Sequence, residues 1–303
     1  MTKDKNAGMK EIIPVIMMGC LFVIINSLAL LIIGLFEPAF EDTGDPMNIA
    51  YILVILLVFT ALILLIAKFF KKQLIQIIIL GAIGYTAWFI FWPLYDIIFT
   101  ILIALILAII TSIVLVISLY KYPEWYVIDI CGIVIGAGAI AIFGKSLEIY
   151  LVIPLLSILA IYDAISVYKT KHMIDLADTV MDLKLPVLMV IPKIRHYSLI
   201  KETKSLKEKL KEDEERDAFF MGLGDIVMPG ILVAAVYNFA EDGLTIAMFA
   251  IAGTLVGFAI LMTFVMKGKP QAGLPCLCGG AILGYVISSL VLHGTLVGLT
   301  MPF

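Results

Sequence analysis

Charge is scarce in this chain. Lys, Arg, Asp and Glu make up only 15% of its 303 residues and 62% are hydrophobic, whereas a soluble globular chain carries about 25% and about 45–50% respectively. So large an apolar excess cannot be hidden in one water-facing core, and it implies an outer surface that faces lipid. The net charge is only −3 and no basic domain stands out, so a nucleic-acid partner is not expected. Histidine is rarer still: His172, His196 and His293 lie far apart and make no metal-ligand set. With no HExxH and no Ser–His pairing, zinc- and serine-protease chemistry lack their groups, and neither metal nor other cofactor is implied. The four cysteines are Cys20, Cys131, Cys276 and Cys278. Cys276-x-Cys278 is too tight for an ordinary disulfide and lacks the second pair of a zinc site, so all four read as packing residues. No internal repeat is visible, which weakens an inverted-repeat transporter. No removable signal peptide is evident, because the first apolar run exceeds the ~7–15 residues of a signal h-region and reads as a true span.

What the chain does have is long apolar runs. A membrane-crossing helix needs ~20 predominantly apolar residues, and nine segments qualify. They run from Ile12 to Phe36, Met47 to Ala67, Leu74 to Trp92, Ile97 to Leu119, Trp125 to Phe143, Tyr150 to Tyr168, Phe219 to Phe239, Leu244 to Met266 and Pro275 to Leu299. The expected fold is an all-α polytopic membrane protein with nine transmembrane helices. It divides into residues 1–168 (spans one to six), a polar insert at 169–218, and residues 219–303 (spans seven to nine). With the N-terminus in the cytoplasm, every one of the 21 lysines and arginines except Lys145 falls on the cytoplasmic side. The excess of positive charge on that side predicts a multi-pass protein of the cell membrane, N-terminus inside and C-terminus outside. Within the insert, His172 to Leu183 has the apolar spacing of a membrane-surface helix. Leu185 to Ile191 is a β-capable stretch that Pro186 limits to a sheet edge. The dense charges of 201–217 read as a solvated run.

Two residues contradict their surroundings: Asp163 in the sixth span and Asp225 in the seventh. An acid at the bilayer centre costs ~2.5–3.5 kcal/mol on insertion scales, so an intramembrane acid is a functional candidate by default. Each lies about six residues from the inner end of its span, roughly 9–10 Å deep at ~1.5 Å per residue. Two carboxyls at equal depth on consecutive helices can meet, share one proton, and divide the work of acid and base. Gly222-Leu223-Gly224 precedes Asp225 and lets another backbone come near or the helix bend. Tyr162 beside Asp163 serves either as hydrogen-bond partner or as cavity wall. Leu274-Pro275-Cys276-Leu277 opens the ninth span at the same depth as the acids, with proline in its favoured place at a helix start. Asp129, near the inner end of the fifth span, reads as structural, within reach of water or a lysine. The stripes Gly132-x-x-x-Gly136, Gly253-x-x-x-Gly257 and Gly280-x-x-x-Gly284 read as helix-packing surfaces.

Taken in order, Tyr162-Asp163, Gly222-Leu223-Gly224-Asp225 and the Pro-x-Leu start of the ninth span resemble the YD, GxGD and PAL motifs of presenilin and signal peptide peptidase. The chain is most similar to archaeal presenilin homologues. Nine spans and a long insert between the sixth and seventh fit the same family. The resemblance implies that Asp163 and Asp225 are the catalytic pair of an intramembrane aspartyl protease. It further implies that Gly222, Leu223 and Gly224 shape the cleft, and that Pro275, Cys276 and Leu277 line it. Cys276 stands where the family has alanine, which implies altered substrate fit more than lost chemistry. The implied substrates are transmembrane helices of membrane proteins or signal peptides, unwound locally in the bilayer. The edge strand at Leu185 to Ile191 would pair with the unwound chain. Animal presenilins require partner subunits and signal peptide peptidases do not. The lack of a long hydrophobic exclusion segment favours the simpler regime without obligatory partners, and a homo-oligomer stays open. The competing class is an ion-coupled transporter or cation channel that uses the two acids to bind protons or cations. It leaves the third motif unexplained.

Overall fold

The structure is a computed structural model that describes residues 2–69, 72–170, 188–193, 218–265 and 271–299. Among these residues the chain forms nine α-helices: α1 (Thr2–Ile32), α2 (Met47–Phe69), α3 (Lys72–Asp96), α4 (Ile101–Lys121), α5 (Trp125–Ser146), α6 (Ile149–Ile165), α7 (Leu223–Phe239), α8 (Gly243–Val265) and α9 (Gly273–His293). Helices are what apolar runs must form in lipid, where each backbone polar group has to be satisfied within its own segment. Seven of them are long and apolar enough to cross a membrane; of the other two, α2 is apolar over Met47–Leu62 and α7, Leu223–Phe239, is shorter.

Three boundaries differ from the sequence reading, and the last two shape the site. The fourth helix starts at Ile101, because the N–H groups of Ile98 and Phe99 turn back onto the Tyr95 carbonyl. The sixth ends at Ile165 and runs on as one π-helical turn, Ser166–Thr170. The seventh begins at Leu223, since Ala218–Gly222 ahead of it is extended. That segment is strand β2, and it pairs antiparallel with β1 (Leu188–Pro192). The fold is therefore not purely α. The strand expected at Leu185 to Ile191 is present from Leu188 onward, whereas Leu185 to Val187 lie outside the described residues. So do the surface helix expected at His172 to Leu183 and the charged run 201–217.

The register pairs Leu188 with Gly222, Met189 with Met221, Val190 with Phe220, Ile191 with Phe219 and Pro192 with Ala218. In an antiparallel ladder, opposed residues alternate between pairs that bond to each other and pairs whose N–H and C=O point away. The N–H of Val190 is given to the Asp129 carboxylate on α5 at 2.8 Å, so Val190–Phe220 is a pair that points away. The bonded pairs are then Met189–Met221 and Ile191–Phe219. Pro192, which has no N–H, falls at a position where the ladder needs none.

Helix α7 is the hub of the bundle, in contact with α1, α5, α6, α8 and α9. Its residues from Pro229 to Val236 are all buried. The two acid-bearing helices, α6 and α7, are neighbours, as the sequence reading expected. Packing between α8 and α9 is backbone against backbone. A side chain on Gly253 would strike the carbonyl of Gly280, and one on Gly257 would strike that of Cys276. Those two stripes are helix-packing surfaces. The third stripe has a different role: Gly132 faces Met189 of β1, and Gly136 faces Leu223 at the start of α7. It seats the two-stranded sheet and the head of α7 against α5.

Candidate active site

Asp163 sits two residues before the end of α6 and is 4% exposed. Its Oδ2 accepts a hydrogen bond from the backbone N–H of Leu274 at 3.1 Å. Leu274 is the second residue of α9, where an amide has no partner within its own helix. Pro275 follows in the first turn, where its missing N–H costs nothing. The start of α9 therefore offers Asp163 an unpaired donor and the positive end of a helix dipole.

Asp225 is the third residue of α7, after the N-cap Gly222, and is half-buried. Its carboxyl lies against the Cα of Gly273: a Cβ placed there would fall 3.0 Å from Oδ2 and 3.1 Å from Cγ. Gly273 and Leu274 thus touch the two acids, one each. The sequence reading put each acid about six residues from the inner end of its span, and the helices end closer to them. Each acid lies two residues from a terminus rather than six, because a π-turn and a strand take up the remaining apolar residues.

Two hollows flank the pair. A cavity of about 140 Å³ contains Asp225 and is lined by β2, by Gln271 and Gly273, and by Val15 and Met18 of α1. An open groove of about 250 Å³ runs between α6 and α9, past Ala160, Ala164, Pro275 and Gly279. The hydroxyl of Tyr168 donates to Oε1 of Gln271, a residue that lines the Asp225 cavity, at 2.7 Å. That bond ties the π-turn after α6 to the segment leading into α9.

The remaining expected site residues divide. Gly222 borders Asp225 and lines its cavity, and Pro275 lines the groove. Gly224 has open space where a side chain would go, so no backbone closes on it. Leu223 packs on α5, Leu277 is fully buried in the core, and Cys276 presses its carbonyl on Gly257. Tyr162 is 51% exposed and borders neither hollow. Asp129 is buried and spoken for by β1, and among the described residues no lysine reaches it. Sequence reasoning missed β2, Gly273 and Gln271. Only Gly273, a glycine directly ahead of a proline-containing helix start, left a local signal.

The family model described as signal-peptide peptidase, presenilin aspartyl protease matches residues 15–294. No curated protein matches the chain. Two solved structures of a presenilin family intramembrane aspartate protease resemble it. One, in space group C222, is 32% identical with a TM-score of 0.66, over 90% of this chain and 96% of that one. The other, in space group P2, is 34% identical with a TM-score of 0.68, over 92% and 98%. A helical bundle that brings two acids to the start of the helix at Gly273–His293, matched along nearly its whole length, belongs to the presenilin and signal-peptide peptidase family of intramembrane aspartyl proteases.

Proposed function

We propose that this protein hydrolyses peptide bonds within transmembrane segments of membrane proteins or signal peptides, with Asp163 and Asp225 as the catalytic pair. The observation that carries the reading is the convergence of both carboxyls on Gly273 and Leu274. Asp163, which receives the Leu274 N–H, acts as the carboxylate that takes a proton from water. Asp225, facing the cavity, is the protonated partner that donates to the carbonyl oxygen of the scissile peptide. Water oxygen bonds to the carbonyl carbon, a tetrahedral diol forms, and its collapse breaks the C–N bond. The proton taken by Asp163 goes to the leaving nitrogen, and Asp225 regains its own from the diol.

A helix hides its peptide bonds, so the substrate must be extended at the site. The outer edge of β2, free among the described residues, supports where that happens. Phe220 and Gly222 point their backbone groups away from β1, beside Asp225, and a strand added there would lie along the acids. All nine helices cross the bilayer in this reading, and the lysines and arginines of the connections support a cytoplasmic placement of the active-site end. Labelling of the insert's lysines from the outer face of sealed cells would reverse that orientation.

The test is cleavage of a synthetic single-span peptide by the protein reconstituted in vesicles, with a bell-shaped dependence of rate on pH. Cation flux with no proteolysis would favour the carrier instead. The strand is tested at Gly222, whose φ of −62° already suits proline. Gly222→Pro removes one outward N–H without disturbing the ladder. It should lower kcat/KM about tenfold or more, as loss of a hydrogen bond worth ~1.4 kcal/mol would. Gly222→Ala keeps the N–H and should lose far less; equal losses would remove β2 from the substrate site.

A further inference from the structure

The two-stranded sheet has two outer edges, and among the described residues only one of them is open. On β1 the outward-pointing positions are Leu188, Val190 and Pro192. Pro192 has no N–H to offer. The N–H of Val190 is held at 2.8 Å by the Asp129 carboxylate, from a residue 61 positions earlier in the chain. Helix α5 packs along the strand there, and both Val190 and Asp129 are buried, at 2% and 8% exposure. On β2 the outward positions are Ala218, Phe220 and Gly222, and the last two line the cavity that holds Asp225.

An acid is a costly choice for the apolar run of α5, and among the described residues it touches neither catalytic aspartate. Its bond to Val190 gives it a purpose that packing alone would not. An edge strand with a free N–H is a template for any extended chain. A substrate that zipped onto β1 would lie on the side of the sheet away from Asp225. We propose that Asp129 is a positioning residue. By closing the outer edge of β1 and pinning the sheet to α5, it leaves β2 as the one edge onto which an unwound substrate can add, in register with the catalytic pair. This rests on the protease reading for its consequence, but not for the closed edge itself.

The test has two arms. In the first, Asp129→Leu and Asp129→Asn are assayed on the synthetic single-span peptide, with products sized by mass spectrometry. Leucine removes the acceptor, so KM should rise about tenfold with kcat less affected, and the single main cut should spread over neighbouring bonds as register loosens. Asparagine keeps an acceptor oxygen of the same reach and should restore both KM and the main cut. A leucine variant with wild-type KM and products would overturn the proposal. So would an asparagine variant as impaired as leucine, since charge and not edge closure would then be at stake.

The second arm is amide exchange on the wild-type protein, which needs neither a variant nor catalysis. The Val190 amide should be protected at all times, while that of Phe220 should exchange quickly and become protected only when an uncleavable extended peptide is added. Equal exchange at Val190 and Phe220, or peptide-induced protection at Val190, would overturn the closed edge even if cleavage is normal. Failure of wild-type cleavage with this exchange pattern intact would count against the protease reading alone.

Discussion

Asp163→Asn and Asp225→Asn each lower the cleavage rate by about 10³-fold or more while leaving the bundle folded. An acid–base group contributes ~10²–10⁴ to a rate. Here neither half of the pair works without the other: a lone Asp163 has no donor for the carbonyl oxygen, and a lone Asp225 has no base for the water. The losses are therefore not additive, and Asp163→Asn/Asp225→Asn should be no slower than either single variant. The fold should tolerate both changes. Asparagine at 163 still presents an oxygen to the Leu274 N–H, and asparagine at 225 lies in a cavity with room for water. Single-turnover cleavage of the single-span peptide, alongside an unfolding midpoint in detergent, measures both quantities. A single variant that keeps more than ~10% of the rate would remove that aspartate from the chemistry. A bell-shaped pH profile in the wild type should collapse in both variants, because its two limbs belong to the pair.

The second large effect is structural and lies on α8, the helix that follows the one bearing Asp225. Gly257→Leu should destabilise the bundle by roughly 3 kcal/mol, the upper end for overpacking, because the atom in the way is backbone and cannot rotate aside. The obstructing group is the carbonyl of Cys276, so any relief must push the first turn of α9 away from α8. That turn carries Gly273 and Leu274, which touch both acids, so activity should fall with stability. Gly224→Ala is the matched control. Its side chain enters open space, and alanine suits a helix better than glycine, so the unfolding midpoint should stay or rise slightly. A Gly257→Leu protein with a wild-type midpoint would show that α8 and α9 do not meet as closely as described.

The contrast between these glycines illustrates what a sequence can and cannot disclose. Gly253-x-x-x-Gly257 and Gly132-x-x-x-Gly136 look alike on paper. One lets two helices touch and the other makes room for a strand and the head of α7, and no local pattern separates them. Strand β2 was hidden for a related reason. Ala218–Gly222 is apolar and continuous with the span that follows, and a short apolar run reads equally as strand or as helix. The partnership of Asp129 with Val190 spans 61 residues, so nothing in the neighbourhood of either residue announces it. Tyr162 shows the converse: it adjoins Asp163 in the chain, but successive residues on a helix point about 100° apart, and its side chain is exposed where that of Asp163 is buried.

What the sequence by itself determined is the bundle of apolar helices, the polar insert and the two acids. Each rests on a cost paid residue by residue: backbone groups in lipid must bond within their own segment, and a charge there must have a reason. Only the tertiary structure decided that both carboxyls meet at Gly273 and Leu274, that Asp225 opens on a cavity, and that one edge of the small sheet is shut by Asp129. Those features depend on contacts between segments far apart in the chain, where packing and unpaired backbone donors choose the partner and no local preference does.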